Sequence, residues 1–201
     1  RLQKGKSYNL RFTENALQWV KEPSKTQEEL TFIGQTEVGS VFEVVNVDRS
    51  GTASVNITYH SISFKWQNRQ ERIEYDSSDP SSSPPRIKGK NESFMKIQAA
   101  VLAALKGERF SIEISPNGHV EDVLGEDTMQ ENIMSKLNVP WSMRDDIEKV
   151  LRHSFGDEAL KKSSAIYIYP DKPVGIGDSW TKKIPTLQGL FYWIWELFPG
   201  V

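Results

Sequence analysis

From Ser7 to Tyr75 the chain alternates apolar and polar residues with a period of two, the mark of strands that bury one face and wet the other. Tyr8, Leu10 and Phe12 share one side of a predicted strand over Ser7 to Thr13, with Asn9 and Arg11 on the other. Ala16 to Val20 extends that strand or opens a partner. Lys21 to Glu29 carries Pro23 and many charges and reads as a loop. Alternation resumes from Leu30 to Thr36. Gly39-Ser40 then marks a turn, a bulge or a strand irregularity, and Val41 to Val47 is a strong strand. Asp48-Arg-Ser-Gly51 has the composition of a short hairpin loop. Over Thr52 to Trp66, Val55, Ile57 and Tyr59 fall on one parity, whereas Ile62, Phe64 and Trp66 fall on the other. A regular strand cannot bury both sets on one side, so a bulge is predicted near His60-Ser61. Arg69 to Tyr75 ends the series with Glu71, Ile73 and Tyr75 in phase.

The period changes after a Ser/Pro-rich loop over residues 76–90, read as mobile surface chain. Asn91 or Ser93 can cap a helix running to about Lys106, with Gly107 as its stop. Phe94, Ile97, Val101, Ala104 and Leu105 form its apolar stripe. Phe110, Ile112 and Ile114 alternate again, Pro116-Asn-Gly118 supplies a tight turn, and the chain returns from Val120 to Leu124. Helices are predicted over Thr128 to Leu137, from a cap at Ser142 or Asp145 through His153, and over Asp157 to Lys162. Ser163 to Tyr169 returns to strand character. The end, Leu190 to Val201, is nearly all apolar and too short to span a bilayer.

Composition narrows the chemistry. A net charge of −2 gives no global attraction to nucleic acid or anionic lipid. The absence of cysteine excludes disulfides and thiolate metal sites. Arg1 in place of Met implies a processed or trimmed product. His60, His119 and His153 have no partner at a ligand spacing, and Gly-x-Ser-x-Gly is absent. Gly175-Ile-Gly177 precedes a predicted strand, which is the wrong context for a phosphate loop. Glu121, Asp122, Glu126 and Asp127 lack the order of a calcium loop and read as a solvated edge. The expectation is therefore no catalytic residue, no metal, no cofactor and no nucleic-acid partner. A hydrolase would need a Ser–His pair or paired carboxylates brought together by the fold.

Several segments, in order, resemble one family: Lys4-Gly-Lys-Ser-Tyr8 with Leu10, then Val44, Val47, Ser50-Gly51 and Ala53, then Tyr75-Asp-Ser-Ser78. Leu105-Lys-Gly107 leads into Phe110-Ser-Ile-Glu-Ile-Ser-Pro-Asn-Gly-His-Val120, with Val123 and Gly125 after it. Phe155-Gly-Asp-Glu-Ala-Leu160 and Pro173-Val174 with Gly177-Asp-Ser-Trp180 complete the set. This resembles an uncharacterised family of exported bacterial proteins, many of them lipoproteins, known as a domain of unknown function. The resemblance spans about residues 2 to 183. It implies a sheet-rich fold and a periplasmic or extracellular location, with a lipid anchor at the mature amino terminus as one form. It carries no catalytic residue.

The resulting expectation is an α+β fold: a large, bent, mostly antiparallel sheet, half-barrel in the manner of lipoprotein carriers, with a helix on one face and further short helices. Residues 1–183 form one domain and residues 184–201 an apolar aromatic tail. The function expected is that of a non-enzymatic envelope protein, an accessory or structural subunit working through protein contacts. The end segment reads either as a buried strand closing the sheet or as a docking segment; in the second case Leu190, Phe191, Tyr192, Trp193, Ile194, Trp195, Leu197 and Phe198 are the candidate docking residues toward a protein partner or a membrane interface. The alternative is a carrier or sensor of a hydrophobic ligand lying between sheet and helix. Its candidate lining is Tyr8, Phe12, Phe42, Tyr59, Phe64, Trp66 and Phe110.

Overall fold

The alternating first half of the chain forms the greater part of a single antiparallel sheet. In the computed structural model, which describes residues 2–20, 29–88, 92–137 and 139–164, its strands are β1 (Ser7–Val20), β2 (Glu29–Val47), β3 (Ala53–Asn68), β4 (Arg72–Asp76), β5 (Arg109–Ile114) and β6 (Val120–Leu124). Their order is β1-β2-β3-β5-β6, with β4 also paired to β3. The sheet is open and the class is α+β, as expected. Two segments merge where the sequence left a choice. Ala16 to Val20 continues β1, and Leu30 to Thr36 joins Val41 to Val47 in one 19-residue strand. Gly39-Ser40 is therefore neither a turn nor a break.

The predicted bulge is present. Ser40 lies opposite Tyr59 and Gly39 opposite Ser61, so His60 is the extra residue. The bulge lets Val55 and Ile57 before it, and Ile62, Phe64 and Trp66 after it, all face the core. Gly39 belongs to the same device. A Cβ there would stand 2.2 Å from Ser61 Oγ and 2.7 Å from His60 Cε1, so the bulged side chains need a glycine opposite them.

The bulge also divides the far edge of β3. Its first half, Ala53 to Thr58, pairs with β5, and its second half, Ser63 to Gln67, pairs with β4. Loop backbone closes the gap between them. Tyr59 N donates to Glu108 O at 2.9 Å, Gly107 N donates to Tyr59 O at 2.7 Å, and Ser77 N donates to Ile62 O at 2.8 Å. Lys106 Nζ donates to Ser77 O at 2.6 Å and ties the two loops together. The strand predicted from Arg69 begins instead at Arg72. The Asn68 side chain accepts from Gln70 N and Glu71 N at 2.8 Å each and holds those residues in a turn.

The helices follow their signals with three corrections. Helix α1 (Phe94–Ala104) is capped by Ser93, whose side chain accepts from Lys96 N. The five-residue stripe was too narrow. Met95, Ala99, Ala100, Leu102 and Ala103 are buried as well, because α1 lies between β3 and β4 on one side and α2 (Glu126–Leu137) on another. Neither Ser142 nor Asp145 caps α3 (Arg144–Phe155). A 3₁₀ turn, Trp141–Met143, leads into it with no side-chain cap. Ser163 and Ser164, assigned to a strand, close α4 (Asp157–Ser164) instead. The remainder of that predicted strand, Ala165 to Tyr169, lies outside the described residues. The β5–β6 hairpin turns as expected. Gly118 takes φ +87° and its N–H donates to Ser115 O at 2.9 Å, with Pro116 fixing the bend.

Candidate functional site

Among the described residues, the helices roof only part of the sheet. Helix α1 packs on β3 and β4, α2 on β5, and α4 on β6. On the same side, β1 and β2 present Tyr8, Leu10, Phe12, Glu14 and Ala16 opposite Phe42, Ser40, Val38, Thr36 and Gly34. This strip continues the core face. Its β2 members are buried except for half-buried Val38, but on β1 Tyr8 is 41% and Phe12 52% exposed.

The seven aromatic residues expected to line a ligand site share this side of the sheet and divide into two groups. Phe42, Phe64, Trp66 and Phe110 are buried in the core. Phe64 stacks on Trp66 with ring centroids 4.6 Å apart and meets Tyr75 at 5.5 Å. Trp66 Nε1 donates to Thr36 Oγ1 at 2.9 Å, which satisfies its buried polar atom. Half-buried Tyr59 meets Phe110 at 6.1 Å. Tyr8 reaches Phe42 edge-on at 6.2 Å, and with Phe12 it forms the exposed margin. Two open depressions among the described residues lie apart from most of these rings. One of about 520 Å³ runs beside Asp145, Glu148, Lys149, Arg152 and His153 on α3, and one of about 130 Å³ lies near Gln35, Glu37, Lys65 and Asp76. Of the seven, only Phe64 borders either.

The opposite side of the β1–β2 pair holds residues that sequence reasoning left out. Leu17 faces Ile33 and Trp19 faces Leu30 across the strands. Leu17 is 63% exposed, and Trp19 and Ile33 are also exposed. The signal was available in the alternation of Leu17 and Trp19. It was passed over because Ala16 to Val20 stood as a doubtful extension. Glu14 was also missed. It sits half-buried between Phe12 and Ala16, and this burial raises its carboxyl above the ordinary range by disfavouring the charged form.

The most deeply buried charge belongs to the roofed half. Glu108 Oε1 lies 2.5 Å from Lys136 Nζ, and Asn132 Nδ2 donates to Glu108 Oε2 at 3.1 Å. Lys136 Nζ donates also to Ala104 O at 3.0 Å and Lys106 O at 2.7 Å. One ammonium thus binds the carbonyl of the last residue of α1, a carbonyl just beyond it and a carboxylate at the start of β5, which makes the cluster a brace. Among the described residues, no group of three or more His, Asp or Glu could hold a metal ion. Among those same residues, no helix is long and apolar enough to cross a membrane. Leu190, Phe191, Tyr192, Trp193, Ile194, Trp195, Leu197 and Phe198, the expected docking residues, lie outside the described residues, as does Pro173 to Trp180.

Comparison with known proteins places the chain in a family and goes no further. Residues 50–191 match a family of unknown function (DUF6263), and the chain belongs to it. No curated protein and no solved structure matches. The matched segment opens in the β2–β3 turn, so β1 and β2 precede it, while β3 to β6 and the helices α1 to α4 fall within it.

Proposed function

We propose that this protein is a non-enzymatic component of the bacterial cell envelope, exported to the periplasm or cell surface, where it acts as an accessory subunit through protein contacts. One observation carries the reading: the β1–β2 pair exposes large apolar side chains on both of its sides. Tyr8 and Phe12 stand on the roofless strip, and Leu17, Trp19 and Ile33 stand on the reverse. Grouped exposed apolar residues mark contact surfaces more often than they mark idle ones. The segment resemblance to exported proteins supports the location.

The test combines fractionation with site-directed photocrosslinking in the native host. A crosslinker at Leu17 or Ile33 is expected to give discrete adducts in the envelope fraction, and one at Glu158 on α4 is expected to give none. Recovery in the cytosolic fraction, or equal labelling from all three positions, would overturn the reading.

A second reading, a carrier or sensor of a hydrophobic ligand, draws support from the shared side of the seven aromatics and the exposure of Tyr8 and Phe12 at its margin. It predicts saturable binding of a fluorescent fatty acid that Phe12→Ser weakens. Binding unchanged by that substitution would remove it.

A further inference from the structure

We infer that the β5–β6 turn is a site of spontaneous covalent modification, at which Asn117 loses its amide nitrogen to water and becomes isoaspartate or aspartate. The site is independent of the contact surface proposed above. Asn117 is followed by Gly118, and no other asparagine or aspartate of the chain precedes a glycine. Succinimide ring closure needs the backbone nitrogen of the next residue to reach the asparagine Cγ, and a glycine there has no Cβ to obstruct the approach. Asn9, Asn15, Asn46, Asn56 and Asn68 lie in strands and Asn132 in α2, and each precedes a residue with a side chain. Asn117 instead is exposed at the tip of a hairpin, between the end of β5 and the start of β6.

The tip supplies one aid and one brake. The Ser115 hydroxyl donates to Asn117 Oδ1 at 2.5 Å, which draws electron density from Cγ and would hold the negative charge as it grows on that oxygen. The brake is the Gly118 N–H, which donates to Ser115 O at 2.9 Å and must release it before the nitrogen can attack. That bond closes a turn at the end of the hairpin, where local opening leaves the buried Phe110, Ile112 and Val123 in place.

The chemistry balances with water alone. The Gly118 nitrogen gives its proton to solvent and bonds to Asn117 Cγ. The tetrahedral oxyanion, held by the Ser115 hydroxyl, collapses, the Cγ–Nδ2 bond breaks, and Nδ2 takes a proton from solvent and leaves as ammonia. Water then opens the succinimide. Attack at Cγ gives aspartate, and attack at the backbone carbonyl gives isoaspartate, whose main chain runs through Cβ and Cγ. An amide and water become a carboxylic acid and ammonia, and nothing is oxidised or reduced.

In the isoaspartate product the longer main chain carries Gly118 N away from Ser115 O. The new carboxylate joins Glu113, Glu121 and Asp122 on the same hairpin. Strands β5 and β6 remain seated against α2 and α4. The modification therefore loosens the tip and leaves the fold.

The test keeps the full-length protein folded in mildly alkaline buffer made from water enriched in the heavy oxygen isotope, with peptide mass mapping over time. Asn117 is expected to convert before Asn9, Asn15, Asn46, Asn56, Asn68 and Asn132, with heavy oxygen in the new carboxyl and isoaspartate the larger product. Ser115→Ala is expected to slow the conversion about fivefold with the circular dichroism unchanged. Asn117→Gln, which would have to close a larger ring, is expected to block it. Amide exchange in the modified chain is expected to be faster at Gly118 and unchanged at Ile112. An Asn117 that keeps its amide while any of the other asparagines converts overturns the site. Conversion as fast in Ser115→Ala as in wild type, or faster, overturns the part given to the hydroxyl. Protection at Gly118 that survives in isoaspartate chains overturns the loosening of the tip.

Discussion

The two halves of this sheet are built from the same alternation and end in different surroundings. In β3 to β6 the inward residues meet helices: Val55, Ile57, Phe64, Trp66, Phe110 and Ile112 are all buried. In β1 the same pattern of Tyr8, Leu10 and Phe12 meets no helix among the described residues, and the rings at its ends stay exposed there. The family match follows the same division, because it opens at residue 50 and leaves β1 and β2 outside. Strand patterning thus specifies a face suited to burial, while the cover must come from elsewhere in the chain or from a partner.

The comparison makes ordered demands on stability. Trp66→Ala should cost the most, about 3–5 kcal/mol by urea denaturation, because it empties a filled part of the core and strands Thr36 without its indole donor. The matching substitution in the open half, Phe12→Ser, should change stability by less than about 0.5 kcal/mol in the monomer. A loss there approaching that of Trp66→Ala would break the distinction between the halves. Lys136→Met should cost about 2 kcal/mol, since Glu108 stays buried with Asn132 as its remaining side-chain donor and two carbonyls lose theirs. The half-exposed Lys136 keeps this below the cost of breaking a fully buried pair. Ser93→Ala should cost about 1 kcal/mol by uncapping α1.

The smallest effect carries a sign. Glu14 has its folded-state carboxyl raised by burial, so the folded chain holds that proton more tightly than the unfolded one. Stability contributed at Glu14 is therefore full in acid and falls as pH rises through the raised value. Glu14→Gln should be neutral below the ordinary carboxylate range and should stabilise by about a few tenths of a kcal/mol at neutral pH, where solvent screening limits the penalty. Asp48, Asp76 and Asp79 run the other way. Hydrogen bonds, first from the hydroxyls of Ser50, Ser78 and Ser81, lower their carboxyls, so their contribution is present above the ordinary value and is lost as pH falls through the lowered one. A stability profile of Glu14→Gln identical to wild type across this range would show that the strip around Phe12 is as wet as open surface.

Local signals carried much of the fold. The parity switch between Tyr59 and Ile62 located the bulge near His60-Ser61, the caps offered by Asn91 or Ser93 located the start of α1, and Pro116-Asn-Gly118 located the hairpin. The candidate site was less legible. Parity placed seven aromatics on one side, yet it could not separate Trp66 from Phe12, because burial depends on which helix arrives above each strand. Leu17, Trp19 and Ile33 escaped notice for a related reason. Their side of the sheet becomes a patch only when β1 and β2 align Leu17 with Ile33.

By itself the sequence determined the strand periods, the bulge, the turns and the helix positions, because each is governed by side-chain spacing and backbone preference within a few residues. The tertiary structure alone decided that β4 and β5 share one edge of β3, that α1 is enclosed on several sides, and that Tyr8 and Phe12 stay exposed among the described residues. Those outcomes depend on contacts between segments far apart in the chain, where the return of a helix or loop determines which apolar face is covered.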